Sequence, residues 1–448
     1  MFYLSKDKEL TVDLLQKMIS SFRVNVEPKL KRYKNYYDGL QQILNKSYTD
    51  PTKACSKTVI NYCKNIVDSY CGYLATPSFI SYSSQNDIEE IMNILKYNDY
   101  QAEDADFLLN ALIYGTAAEL MYLDGAAQTR FRQINPTTCF GIYDDSLTGD
   151  LMYFVRMYKE CDWDDSDTYN VDVYTDTEIK HYKMSGLNGY LTPSALGVEP
   201  HHFGQCPANI FYLPDEKSIF DCVLSLQDAA NEILSSEIDD FNAFCDAYLV
   251  ITGGEIDADT AKSMRESKII QLPDSSAKAE WLIKSINDTQ VENILKRIHD
   301  SIYRIAQCPD FSSESFVGGV SSGVAIRYRL TGMETRAGKI EAEMKKALQR
   351  RIEIICGIAT LKLGEEVFRD IEIDFKRNIP EDLTSTINLI NSLKGSVSDA
   401  TLLGQLPFID DVNEELERVE AQKAANMELY GFNAPVAADD EDDEDEQA

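Results

Sequence analysis

The longest helical pattern in this 448-residue chain runs from Gly323 to Leu363. Its apolar stripe passes through Ile326, Leu330, Met333, Ala337, Ile340, Met344, Ala347, Ile354 and Ile358, the spacing of one buried helix face. At 1.5 Å per residue such a helix is roughly 60 Å long, about twice the diameter of a small domain. The chain is long enough for two or three ordinary domains, or for one extended subunit of several parts.

The rest of the sequence bounds what those parts do. A hydrophobic share of 44% and an aromatic share of 10% are those of a folded protein. No run approaches 18 consecutive apolar residues, so no membrane span is expected. The start, MFYLSKDKEL, lacks the basic-then-apolar order of a signal peptide, so the product is expected to stay in the cytosol where it is made. The ten cysteines stand singly with no CxxC pair, which fits reduced structural thiols better than zinc or redox chemistry. Formal charge is −32, and the run DDEDDEDE from Asp439 to Glu446 should be disordered and dispensable, since it repels itself and has nothing to bury. A protein that grips DNA by neutralising phosphates needs the opposite balance.

From Asp7 to Lys46 the pattern is helical and ends in the basic, aromatic KLKRYKNYYDG, Lys29 to Gly39. Helices are expected at Lys57–Leu74, Asp87–Tyr97 and Ala102–Tyr114. Alternation then predicts strands at Ala117–Leu123, Arg130–Ile134, Phe140–Tyr143, Leu151–Tyr158, Tyr169–Tyr174 and Glu178–Met184, followed by a Pro-rich segment from Pro193 to Pro214. A long helix is expected over Ser218–Tyr248, with an acidic stripe of Asp221, Asp228, Glu232, Asp239 and Asp246 opposite its apolar residues. A small insert follows (Leu249–Ser285), reading as strand, helix (Asp259–Ser267), strand (Lys268–Leu272) and strand (Ala279–Ile283). Helix resumes over Thr289–Gln307. The loop CPDFSSESFVGGVSSG, Cys308 to Gly323, leads into the longest helix. A strand at Ile371–Phe375 and three short helical segments, near 382–394, 398–406 and 411–430, complete the chain.

In that order the parts resemble the portal proteins of long-tailed phages that infect Gram-positive hosts. SGVAIRYRLTGME (Ser322–Glu334) looks like the family's entry into its central helix. Arg377–Val419, with its S-x-x-T helix start, looks like the C-terminal crown, and YKNYYDG with Asn61–Pro77 looks like the wing. The resemblance covers Tyr33 to Glu420. It implies an α+β, predominantly helical subunit: wing 1–214 with the strand region 364–376, stem helices 215–248 and 286–308, clip 249–285, tunnel loop 309–323, central helix 324–363 and crown 377–432, before an acidic tail 433–448 that matches no family motif. It also implies a closed ring, typically of about twelve subunits, sitting at the capsid portal vertex after assembly in the host cytoplasm. Implied partners are the terminase large subunit, head-completion (adaptor) and tail proteins, scaffold, the major capsid protein and double-stranded DNA passing without tight binding, with no membrane. The other readings are a different virion structural protein, such as a scaffold or head-completion factor, or a nucleic-acid-processing enzyme.

The loop would stand at the narrowest part of the channel. Asp310, Phe311, Ser312, Ser313, Glu314, Ser315, Phe316, Gly318 and Gly319 suit that place: glycines free the backbone, serines give replaceable hydrogen bonds, and no Lys or Arg lies between Arg304 and Arg327. The acidic stripe is either channel-facing or a plain solvated face. The cluster Lys29, Lys31, Arg32, Lys34 with Tyr33, Tyr36 and Tyr37 either binds nucleic acid or is the polar face and aromatic anchor of an ordinary helix. Chemistry finds no footing. Gly318 and Gly323 have phosphate-loop spacing, but Val324 and Ala325 stand where Lys and Ser/Thr are required. The four histidines form no ligand set, Ser275–Lys278 lacks the rest of its enzyme motif, and Asp162, Asp164, Asp165 and Asp167 lack the glycine and closing glutamate of a calcium loop. No catalytic, cofactor or metal site is expected.

Overall fold

Apolar residues on both sides of the stretch from Cys139 to Ser185 draw it into a sheet: Val155, Met157, Val171 and Val173 join the main core, and Cys139, Phe154 and Tyr174 join a second, smaller one. In the computed structural model it has six strands: β1 (Phe2–Leu4), β5 (Cys139–Asp144), β6 (Leu151–Lys159), β7 (Thr168–Tyr174), β8 (Glu178–Ser185) and β9 (Leu191–Pro200), in the order β1-β5-β6-β7-β8-β9. All neighbours are antiparallel except β1, which runs parallel to β5. A second sheet has the order β10-β3-β4, from Ala208–Tyr212, Thr116–Leu123 and Thr129–Ile134; β2 (Ile80–Ser83) pairs with β13 (Glu372–Phe375), and β11 (Tyr248–Thr252) with β12 (Lys278–Leu282). The structure describes residues 2–49, 55–75, 79–159, 167–186, 189–245, 248–252, 278–282, 288–312, 323–358, 367–377 and 390–403 except 396, with isolated positions between and beyond them. The chain divides into two compact units, residues 1–320 with 325–379, and 321–324 with 380–448.

The Pro-rich segment is corrected by this topology, because it holds two strands. Pro193 and Pro200 are tolerated since β9 is the outer strand of its sheet, where a missing N–H breaks no ladder. β1 and β2 are three and four residues long, too short to show a period. The β3–β4 hairpin turns where Asp124-Gly125 predicts: Asp124 Oδ1 accepts the N–H groups of Ala126 and Gln128, each at 2.9 Å.

Helices α1 (Val12–Ser21) and α2 (Glu27–Tyr37) replace the single run expected from Asp7 to Lys46, with one π-type turn, Phe22–Val26, between them. The extra residue in that turn rotates the apolar face, so Leu15, Met18, Ile19 and Phe22 are buried before it and Leu30, Tyr33 and Tyr36 after it. α3 spans Tyr62–Leu74, α4 Glu89–Tyr97 and α5 Tyr100–Tyr114. Gly115 ends α5 at φ +81°, and a Cβ there would lie 2.5 Å from the Lys217 carbonyl carbon, so only glycine fits. α6 (Leu224–Cys245) and α7 (Asp288–Ala306) precede α8 (Gly323–Cys356), whose 34 residues are about 50 Å long. Most of the extension expected to Leu363 lies outside the described residues. In the second unit Ser398 starts α9 (Asp399–Leu403), accepting the Thr401 N–H at 3.4 Å. No helix among the described residues is long and apolar enough to cross a membrane.

The stripe read in α8 is the buried one, Leu330, Met333, Ala337, Ile340, Met344 and Ala347, but it carries a charge nothing in the periodicity foretells. Arg351 is wholly buried. It pairs with Glu119 of β3 at 2.9 and 2.7 Å and with Asp104 of α5, and its guanidinium lies 4.5 Å from the Phe131 ring centroid. Asn209 of β10 donates to Glu119 at 2.7 Å, and Tyr82 of β2 donates to Asp104 at 3.2 Å. Burial pushes Asp104 above the usual carboxylate range, and Arg351 pulls it back. The Arg351 cluster thus ties together helices α8 and α5 and strands β2, β3, β4 and β10.

His201 supplies a pH dependence. Its Nε2 meets the Thr175 carbonyl at 3.1 Å and its Nδ1 accepts the Phe203 N–H at 3.3 Å, an arrangement only the neutral ring makes. Burial holds it below the ordinary 6.5. The unfolded chain therefore binds the proton first, so stability is full above about pH 6.5 and falls as pH drops below that value. His201→Gln should flatten the fall in urea midpoint between about pH 7 and 5, and an unchanged slope would exclude His201 as its source.

Candidate functional site

The loop after α7 leaves from a fixed point. The last carbonyls of a helix have no partners within it. Here Ala306 O accepts from Tyr70 Oη at 3.1 Å and from Arg336 of α8 at 3.0 Å, while the same guanidinium reaches Ile219 O at 2.8 Å. Tyr70 also donates to Gln307 O at 3.1 Å. Gln307 turns the chain at φ +54°, and Cys308 is buried behind it, its thiol pushed up to about 11 by burial. Asp310 Oδ1 then takes the N–H and hydroxyl of Ser312 at 3.0 and 2.6 Å, and its Oδ2 lies 3.4 Å from His299 Nε2 on α7. Phe311 is partly exposed. Ser313, Glu314, Ser315, Phe316, Gly318 and Gly319 lie outside the described residues.

Helix α6 is held by a feature that the sequence pattern does not announce. Residues 55–61, expected to open a helix at Lys57, form neither helix nor strand. Every second N–H of this strap finds a side chain of α6: Ser56 to Asp239 at 2.6 Å, Thr58 to Ser235 at 3.0 Å, Ile60 to Asn231 at 2.9 Å and Tyr62 to Gln227 at 3.1 Å. The match is geometric. Two residues of extended chain advance about 6.6 Å and four residues of helix about 6.0 Å, so acceptors spaced four apart meet alternate donors rung by rung. Gln227, Asn231 and Ser235 are completely buried. The buried face of α6 is therefore polar beyond Ala230, and Phe241 is 63% exposed.

That ladder corrects the view of the acidic residues as a plain solvated stripe. Asp221 accepts from Tyr33 and Asp228 from Tyr36, both at 2.6 Å; Glu232 lies 2.9 Å from Lys46 Nζ, and Asp239 is the last rung of the ladder. Asp246 lies outside the described residues. The same contacts decide the Lys29–Tyr37 cluster: Tyr33 and Tyr36 are buried anchors of α2, and Tyr37 reaches Asp68 at 2.9 Å. The legible signal was the four-residue spacing of Gln227, Asn231, Ser235 and Asp239.

Asn231 is the rung with most to lose. It accepts from Ile60 and Gln227 and donates to Gln41 at 2.5 Å. Asn231→Leu should destabilise the chain by roughly 2–3 kcal/mol, because a buried N–H and a buried amide oxygen lose their partner. Urea unfolding measures this, and a loss below about 0.5 kcal/mol would mean that water replaces the rung.

Comparison with known proteins decides what this scaffold is. The family model described as "Phage portal protein, SPP1 Gp6-like" matches residues 26–429, so it spans the strap, α6, the loop and α8. The chain belongs to this family of phage portal proteins. The portal protein of Bacillus phage SPP1 is 23% identical across 93% of this chain and 88% of its own length. The portal protein of Clostridium phage phiCD119 is 20% identical across 88% and 93%. The portal-family match extends along nearly the whole described fold, and both relatives come from phages of Gram-positive hosts, as the motifs implied.

Proposed function

We propose that the chain assembles into a closed ring, about twelve copies by family resemblance, at one vertex of the phage capsid, and that DNA enters and leaves through its centre. The observation that carries this reading is the family match from residue 26 to 429. In it, residues 1–214 with 364–376 are the wing, 215–248 and 286–308 the stem, 249–285 the clip, 309–323 the tunnel loop, 324–363 the central helix, 377–432 the crown and 433–448 the acidic tail. The conduit is passive. A body this acidic repels the phosphate backbone, so DNA slides rather than binds, and ATP is hydrolysed by the terminase large subunit. The acidic stem residues act through their summed field, since Asp221, Asp228 and Asp239 are already engaged with the chain's own groups. Scaffold and major capsid protein are the partners during assembly, and head-completion and tail proteins afterwards.

The test is packaging by capsids assembled with and without this chain. Nuclease-protected DNA should appear only in its presence, and equal protection without it would overturn the reading.

A further inference from the structure

Both ring nitrogens of His299 on α7 face carboxylates. Nδ1 lies 3.2 Å from Asp300 Oδ1 on the same helix, and Nε2 lies 3.4 Å from Asp310 Oδ2, beyond the end of that helix. Two tyrosines cage the ring: the Tyr303 centroid is 4.8 Å away, and Tyr62 of α3 stands edge-on at 5.7 Å. The cage is itself fixed, since Tyr303 Oη donates to Asn65 Oδ1 and the Tyr62 N–H to Gln227, each at 3.1 Å. On the other side, Asp310 is the nucleus of the turn that follows, its Oδ1 taking the Ser312 N–H and hydroxyl. A ring held by the helices thus holds the first turn of the loop.

The protonation state decides how well it holds. A neutral imidazole has one N–H and one lone pair, so it donates to one carboxylate while its lone pair faces the other. The protonated ring donates to both. This is the reverse of His201, whose partners require the neutral ring. The titratable groups facing His299 are Asp300 and Tyr303 from α7, Tyr62 from α3 and Asp310 from the loop. Burial first, and the Asp310 charge after it, pushes both phenols above their usual range, so neither tyrosine changes charge near neutral pH.

We propose that His299 is a positioning residue for this loop: protonated, it ties the Asp310 turn to α7, and on losing its proton it loosens that tie. Its bearing on DNA passage rests on the reading of residues 309–323 as the tunnel loop. An imidazole changes charge between about pH 5 and 8, so the tie is firm at the lower end of that window and weak at the upper end.

Hydrogen exchange of residues 310–312 in the full-length chain, referred to the exchange of unstructured sequence at the same pH, tests this. Protection should fall about two- to fivefold across that window, the effect of a partly exposed ion pair. His299→Gln is neutral throughout and should give low protection at both ends. His299→Lys is charged throughout and should give high protection at both ends, which also separates loss of the tie from failure to fold. Asp310→Asn can still accept the Ser312 N–H and should behave like His299→Gln. Protection that does not change with pH in the natural chain would overturn the proposal. So would a pH dependence that survives Asp310→Asn, since the ring would then act through Asp300. Nuclease-protected DNA per capsid is a separate readout: if His299→Gln loses protection of the turn and still packages normally, the tie stands and the turn lies outside the path of DNA.

Discussion

Arg351→Met should lower the unfolding free energy of the subunit by roughly 3–5 kcal/mol, the largest loss expected from any single side chain. The reason is what remains. Arg351, Asp104 and Glu119 have no side-chain exposure, and removal of the guanidinium leaves two buried carboxylates facing one another. Methionine fills much of the volume and spares the packing against Phe131, so the loss reports charge rather than a cavity. Arg351→Lys should recover only part, because one ammonium cannot make the paired bonds to Glu119 while also reaching Asp104. Neutralising all three positions, Arg351→Met with Asp104→Asn and Glu119→Gln, should be milder than Arg351→Met alone. Urea unfolding of the four proteins measures this. A loss below about 1 kcal/mol for Arg351→Met would show that water reaches the carboxylates and that the cluster does not hold the layers together.

The second large effect is on packaging. Replacing Ser313 and Ser315 with Arg should leave rings and capsids forming but stall DNA entry. The natural loop carries Asp310 and Glu314 and no cation between Arg304 and Arg327, so phosphates passing it meet no ionic hold. Two arginines per subunit, multiplied around a ring, give each passing phosphate a site whose release costs counterion uptake. The stall should ease as salt rises, because the Debye length shrinks from about 10 Å at 0.1 M toward 3 Å at 1 M. Nuclease-protected DNA per capsid is the readout. Normal packaging by the double variant at low salt would remove the loop from the channel.

What could be read from sequence follows from which forces have a local period. The long helices were legible from apolar residues recurring at helical spacing, and the strands from Ala117 to Met184 from apolar runs bounded by turn residues. β9 was not, since a strand at the sheet edge needs little burial and tolerates Pro193 and Pro200. The strap at residues 55–61 was misread as helix for a similar reason. Its backbone bonds go to side chains more than 160 residues away, and nothing local marks it as non-helical. Arg351 was invisible within a helix rich in arginine and lysine, because only the tertiary fold brings Asp104 and Glu119 to it. For the loop, composition announced glycine freedom and weak hydrogen bonding. The anchors that fix its departure, Tyr70 and Arg336, come from two distant helices.

As a member of the portal family, this chain is expected to build a ring with a hole wide enough for duplex DNA. Negative-stain electron microscopy of the protein, purified alone and recovered from assembled capsids, tests it most directly. Closed rings with a stain-filled centre are the expected result; solid particles or isolated subunits from both sources would contradict it.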